Sequence, residues 1–87
     1  MIRVVYNNNF LKSVTRLPRN AQQKLANLTL LLQENPFHAQ LHTKHLTGIL
    51  TGFLSFRITR DWRVIFRFLN EQTIQLLETA HRKDIYK

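Results

Sequence analysis

Alternation with a period of two, sustained from Ser55 to the end of a third run at His81, constrains this chain more than any other feature. Ser55-Phe-Arg-Ile-Thr59 and Arg63-Val-Ile-Phe-Arg-Phe-Leu69 flank the short turn Arg60-Asp-Trp62, and Thr73 to His81 follows. Such a period gives each strand two unlike faces. Phe56, Ile58, Val64, Phe66 and Phe68 are assigned to a buried face, with Ile74, Leu76 and Ala80 joining them. Ser55, Arg57, Thr59, Arg63, Ile65 and Arg67 are assigned to the opposite face, together with Leu77, Thr79 and His81. A slip of one residue would bury the arginines, so the assignment is tightly constrained. Glu78 is the awkward member: strict alternation turns it inward, which places it at a sheet end or beside a cation.

The rest of the chain supplies what backs that sheet. Ile2 to Tyr6 is a short apolar run rich in β-branched residues, read as a first strand. Asn7-Asn8-Asn9 supplies a turn and a helix cap, and Phe10, Val14 and Leu17 recur at helical spacing. Pro18 separates this helix from a second, Arg19 to Gln33, whose Ala21, Leu25, Leu28 and Leu32 share a face, and Glu34-Asn-Pro36 stops it. Phe37 to Leu54 reads as a loop entering the next strand near Phe53. The expected fold is α+β: an N-terminal strand, a two-helix hairpin and a three-stranded antiparallel meander, forming one sheet backed by the helices. Residues 1–87 are expected to form a single domain.

Charge narrows the partners. Thirteen Lys and Arg against five Asp and Glu give a net charge of +8, and no acid precedes Glu34. That excess attracts polyanions in a salt-sensitive way and favours nucleic acid or an acidic protein. The chain has no cysteine, so neither a disulfide framework nor a thiolate metal site is expected. His42 and His45 suit a metal only on a helix, and no acid stands near enough in sequence to complete a site, so no metal or cofactor is expected. The N-terminus lacks a signal-peptide core and Leu28 to Leu32 is too short to span a bilayer; a cytoplasmic protein without membrane contact is expected.

Metal-free cleavage of RNA needs a group to take the 2′-hydroxyl proton, cations for the charge on phosphorus and an acid for the leaving oxygen. Arg57, Arg63 and Arg67 can supply cations, and His81 can act as base or acid. Arg82 and Tyr86 stand nearby in sequence, Tyr86 offering a hydroxyl and a stacking ring. Lys44 and His45 closely precede the sheet and are candidate RNA contacts. Trp62, at the hairpin turn, reads as a packing or edge residue.

Four pieces carry a family resemblance: Leu46-Thr-Gly48, Gly52-Phe-Leu-Ser-Phe-Arg-Ile58, Asp61-Trp-Arg-Val-Ile-Phe66 and Ala80-His-Arg-Lys-Asp-Ile-Tyr86. In that order and spacing the chain resembles the RelE/ParE superfamily of type II toxins, nearest to its RelE, YoeB and YafQ branches of mRNA endonucleases. The resemblance implies an mRNA interferase that blocks translation by cutting messages in the ribosomal A site. It places Arg57 and Arg63 at phosphate-stabilising positions and His81 at the C-terminal catalytic histidine. Arg82 and Tyr86 correspond to the RelE-type tail, and Lys83, with Lys44, His45, Arg67 and Arg82, is expected to contact RNA. It further implies an acidic cognate antitoxin, and binding of operator DNA only as the toxin–antitoxin complex. Where relatives carry a glutamate or histidine base this chain has Lys44, so His81, His45 or a lysine are all candidates for the base. Two other outcomes are compatible with the fold: a ParE-like, non-enzymatic inhibitor of DNA gyrase, and an inactive member that only binds its antitoxin.

Overall fold

The computed structural model describes residues 1–85. Its elements run β1 (Arg3–Tyr6), α1 (Asn8–Val14), α2 (Arg19–Glu34), β2 (Lys44–His45), β3 (Leu54–Arg57), β4 (Trp62–Asn70), β5 (Thr73–His81) and α3 (Arg82–Ile85). Single turns of 3₁₀-helix at Ala39–Leu41 and Gly48–Leu50 interrupt the segment read from sequence as a loop. The five strands form one sheet in the order β1-β5-β4-β3-β2. The expected meander is there, as β3, β4 and β5, while β1 pairs in parallel with β5 and the two-residue β2 pairs antiparallel with β3. β2 is the strand that sequence missed, because two residues are too few to show a period.

Local chemistry sets the helix boundaries. The Asn7 side chain accepts from the Phe10 amide at 2.8 Å, capping α1 where the first amides lack intrahelical partners. Pro18 is the N-cap of α2 and its carbonyl accepts from the amides of Ala21 and Gln22. The Gln22 side chain donates in turn to the carbonyls of Val14 and Leu17, tying the turn between α1 and α2 to the second helix. Ala21, Leu25 and Leu32 are buried and Leu28 packs against the same core, as their spacing predicts. They cover Phe56, Val64, Phe66, Ile74 and Leu76 on the sheet, with Leu41 closing one side. Each large aliphatic or aromatic side chain so buried stabilises by roughly 1.5–3 kcal/mol.

The face assignment holds up to Leu76 and then inverts. Phe66 pairs with Leu76 but the neighbouring Ile65 pairs with Glu78, so Leu77 is an extra residue in β5. Such a bulge shifts the alternation of everything after it by one. Directly opposed residues share a face, so Thr79, opposite Val64, and His81, opposite Trp62, turn to the helix side. Ala80 and Glu78 take the other. The bulge is why Glu78 is exposed, and it corrects the expected placing of Thr79, Ala80 and His81. Thr79 is buried against α1, with its hydroxyl and amide both bonded to Ser13.

The face away from the helices is not the open arginine surface that the alternation suggested. Ser55 and Ile65 are 1% and 7% exposed there. Leu50 and Phe53, from the loop between β2 and β3, line a cavity of about 240 Å³ with Ile65 and Leu77. This loop roofs the middle of the face.

Candidate nucleic-acid interface at one end of the sheet

The meander brings the C-terminal ends of β3 and β5 beside the N-terminal end of β4. Arg57 pairs with Arg63, Arg63 with Ala80, and Trp62 with His81. The turn Arg60–Asp61 and the first residues of α3 adjoin them, with the Arg82 amide donating to the Asp61 carbonyl at 2.8 Å. Six basic side chains (Arg57, Arg60, Arg63, His81, Arg82 and Lys83) thus collect at this end within two turns of chain. Among the described residues, Asp61 and Asp84 are the acids in the same segments.

These side chains do different things. Arg63 is 7% exposed, and its Nη1 donates to the carbonyls of Thr59, Arg60 and Trp62 at 2.7, 2.9 and 3.3 Å. Charge-assisted bonds of this kind are stronger than neutral ones, so Arg63 clamps the β3–β4 turn from within. That differs from the outward, phosphate-facing position expected of it. Arg57, its cross-strand neighbour, is half-buried, and its buried Nε has no hydrogen-bond partner. The Ser55 hydroxyl, two residues earlier on the same face of β3, is buried and equally unpartnered. Buried polar atoms are nearly always satisfied, so an orphaned guanidinium nitrogen calls for a reason.

His81 packs edge-on against Trp62, with ring centroids 5.2 Å apart and planes at 75°. Trp62 is thereby a packing residue, as read from sequence. The Lys83 amide donates to His81 Nδ1 at a long 3.4 Å. With Nδ1 accepting, the neutral ring carries its proton on Nε2. Arg82 lies 3.6 Å from the Asp61 carboxylate in an ion pair that is about half exposed on both sides.

The remaining candidates are spread out. Lys44 and His45 lie on the edge strand β2, opposite Ser55 and Leu54, so Lys44 shares the face of Ser55 and Arg57. His45 is on the other face, stacked on Phe37 at 6.1 Å, and Phe37 stacks in turn on Phe68. Arg67 is exposed and donates to the Gln75 side chain. It stands four residues along β4 from Arg63, about 13 Å at ~3.3 Å per residue, and does not join the His81 end. Tyr86 lies outside the described residues.

Sequence reasoning gave no site role to three contributors. Arg60 was read only as part of a turn, and Asp61 only as part of that turn and of a family motif, although a charged pair next to Trp62 was a usable signal. Arg16 lines a cavity of about 410 Å³ together with Trp62, Thr79 and His81. Nothing in the sequence pointed to that, because it depends on how α1 seats against β5.

Residues 4–86 match the family described as the ParE toxin of type II toxin-antitoxin system, parDE. No curated protein matches by sequence. The fold is similar to that of YafQ from E. coli strain BL21(DE3), with a TM-score of 0.77, 21% identity and full coverage of both chains. It is also similar to the RelB-RelE antitoxin-toxin complex from Methanococcus jannaschii, with a TM-score of 0.75, 19% identity and 94% of each chain covered. The YoeB/ParE toxin from Agrobacterium tumefaciens gives a TM-score of 0.75 at 19% identity, over 92% of this chain and 98% of its own. At such identities these likenesses speak for the fold, while the family match extends over nearly the whole sequence. The chain is a toxin of a type II toxin–antitoxin system and belongs to the ParE toxin family within the RelE/ParE superfamily.

Proposed function

We propose that this toxin is a metal-independent mRNA endonuclease that acts at the ribosomal A site and thereby blocks translation. The observation that carries the reading is that one sheet end bears Arg57, with its Nε buried and unpartnered, on one face and His81, followed by Arg82, on the other. Arg57 is half-buried, and the exposed part of a guanidinium matches a phosphate in shape and charge. In the reaction the 2′-oxygen loses its proton and attacks phosphorus, and the 5′-oxygen of the next nucleotide leaves with a proton. The products are a 2′,3′-cyclic phosphate and a 5′-hydroxyl. Arg57 and Arg82 stabilise the charge on the phosphorane, and His81, as the imidazolium, gives its Nε2 proton to the leaving oxygen and becomes neutral. Lys44, on the same face as Arg57, is the candidate nearest in register for the proton-accepting side. Tyr86 keeps its proposed place beside the RNA, as do His45 and Lys83. An acidic antitoxin holds the toxin silent; RelE and YafQ relatives are found in complexes with RelB and DinJ.

Primer extension on a reporter mRNA after brief induction tests this reading. New cuts within the coding frame, absent with His81→Ala, are expected. Intact messages during growth arrest would overturn it.

A second reading is favoured by the family match itself, which is to ParE toxins. It makes the same basic end a docking surface for DNA gyrase, without chemistry. Stalled replication and an SOS response with intact messages are its signature.

A further inference from the structure

We infer that the cleft between the Thr47–Thr51 loop and α3 is a subsite for one nucleobase of a single-stranded RNA, with Ile49 as its apolar wall. The inference rests on the endonuclease reading and says where the strand lies. A cavity of about 690 Å³ is lined by His45, Gly48, Ile49, Leu50, Asp84 and Ile85. Ile49, Leu50, Asp84 and Ile85 also line the 410 Å³ cavity that holds Trp62 and His81. The two therefore adjoin along these four residues, one reaching His45 and the other His81 and Trp62. The larger cavity falls within the roughly 300–1,000 Å³ typical of small-ligand sites.

Ile49 is 99% exposed. One exposed isoleucine is commonplace, but this one lines two cavities from a loop tied by hydrogen bonds. The Leu46 amide donates to the Phe53 carbonyl at 2.9 Å and closes the base of the loop. Within it the Leu50 amide donates to the Thr47 carbonyl and the Thr51 hydroxyl to the Gly48 carbonyl. Gly48 and Gly52, at φ +67° and +96°, supply the left-handed turns on either side. Nothing in the fold needs Ile49 displayed in this way, and a flat apolar face is what it can receive.

Charge decides which part of a nucleotide enters. Asp84 lines both cavities and Glu78 the inner one. Carboxylates repel phosphate but accept from the amino and imino groups of bases. The surrounding sheet end is basic, so the backbone runs along Arg60 and Arg82 while the base turns inward. Stacking and apolar contact of this kind bind single strands without a groove code.

The test uses the whole toxin and short 2′-O-methyl RNA, which it cannot cleave, carrying either a normal nucleotide or an abasic site at one position. Binding is read by fluorescence anisotropy for wild type and Ile49→Ala, alongside mapping of cuts in a reporter mRNA. The wild type is expected to bind the abasic strand roughly tenfold more weakly. Ile49→Ala should bind both strands alike, at the weaker level, with an unchanged Tm and an altered nucleotide preference beside its cuts. Equal binding of both strands by wild type, or undetectable binding, overturns the inference. So does an Ile49→Ala protein that still discriminates, or one that loses only antitoxin affinity. Base discrimination without any cleavage would retain the subsite and remove the endonuclease reading; cleavage without discrimination would do the reverse.

Discussion

Ser13 and Thr79, sixty-six residues apart, exchange two hydrogen bonds in the interior: the Thr79 amide donates to Ser13 Oγ at 2.8 Å and the Thr79 hydroxyl to the Ser13 carbonyl at 3.0 Å. Past Leu76, β5 has no β1 beside it, since the β1 register ends at Tyr6 opposite Leu76. The strand amide is satisfied by α1 instead. Ser13 Oγ also donates to the Phe10 carbonyl, so one hydroxyl links helix and sheet edge.

Ser13→Ala leaves the buried Thr79 amide without an acceptor. A loss of about 1–3 kcal/mol is expected, the range for orphaning a buried polar group. Urea denaturation checks it. Loss of less than about 0.5 kcal/mol would mean that water replaces the hydroxyl.

Arg57→Ala and Arg63→Ala should part company. Arg63→Ala takes this donor from the Thr59 and Arg60 carbonyls, while the Trp62 carbonyl keeps the Ile58 amide, and is expected to cost about 1–3 kcal/mol. Arg57→Ala removes a buried nitrogen that has no partner, so stability should stay level or rise while toxicity falls. Thermal melts of both, beside growth assays, decide it. A destabilised Arg57→Ala protein would assign Arg57 a structural role instead.

The Asp61–Arg82 pair is half exposed, and a pair of this kind contributes about 0–1 kcal/mol. Asp61→Ala should therefore barely move the melting temperature, yet it frees the Arg82 guanidinium and should tighten RNA binding. Anisotropy titrations at two salt concentrations are the check, with a steeper salt slope expected in the variant.

Deleting Leu77 removes the bulge but leaves Phe66 opposite Leu76 and Ile65 opposite Glu78. The expected result is a folded protein with native near-UV circular dichroism. Its twist at the His81 end should be reduced, since bulges increase local twist, and its toxicity with it. An unfolded product would show that the bulge is needed for stability.

How much was legible differs by region. Val64, Phe66, Ile74 and Leu76 announced their face by alternation, and Ala21, Leu25 and Leu32 theirs by helical spacing, because each period is a property of neighbouring residues alone. Past Leu77 the period breaks silently: a bulge adds one residue without changing composition, and only pairing with β4 reveals it. Glu78, which could not be placed by strict alternation, was the one sign of it in the chain.

The sequence by itself determined the class of fold, the basic character and the candidate residues, since these follow from local periodicity, charge and short motifs. Tertiary structure decided what the residues do. It turned Arg63 inward as a clamp, set His81 on Trp62 on the face opposite Arg57, left Arg57 Nε without a partner and raised Ile49 over a cleft. The physical reason is that burial and hydrogen-bond partnership are set by contacts between segments distant in sequence, and no local pattern encodes which carbonyls an arginine will meet.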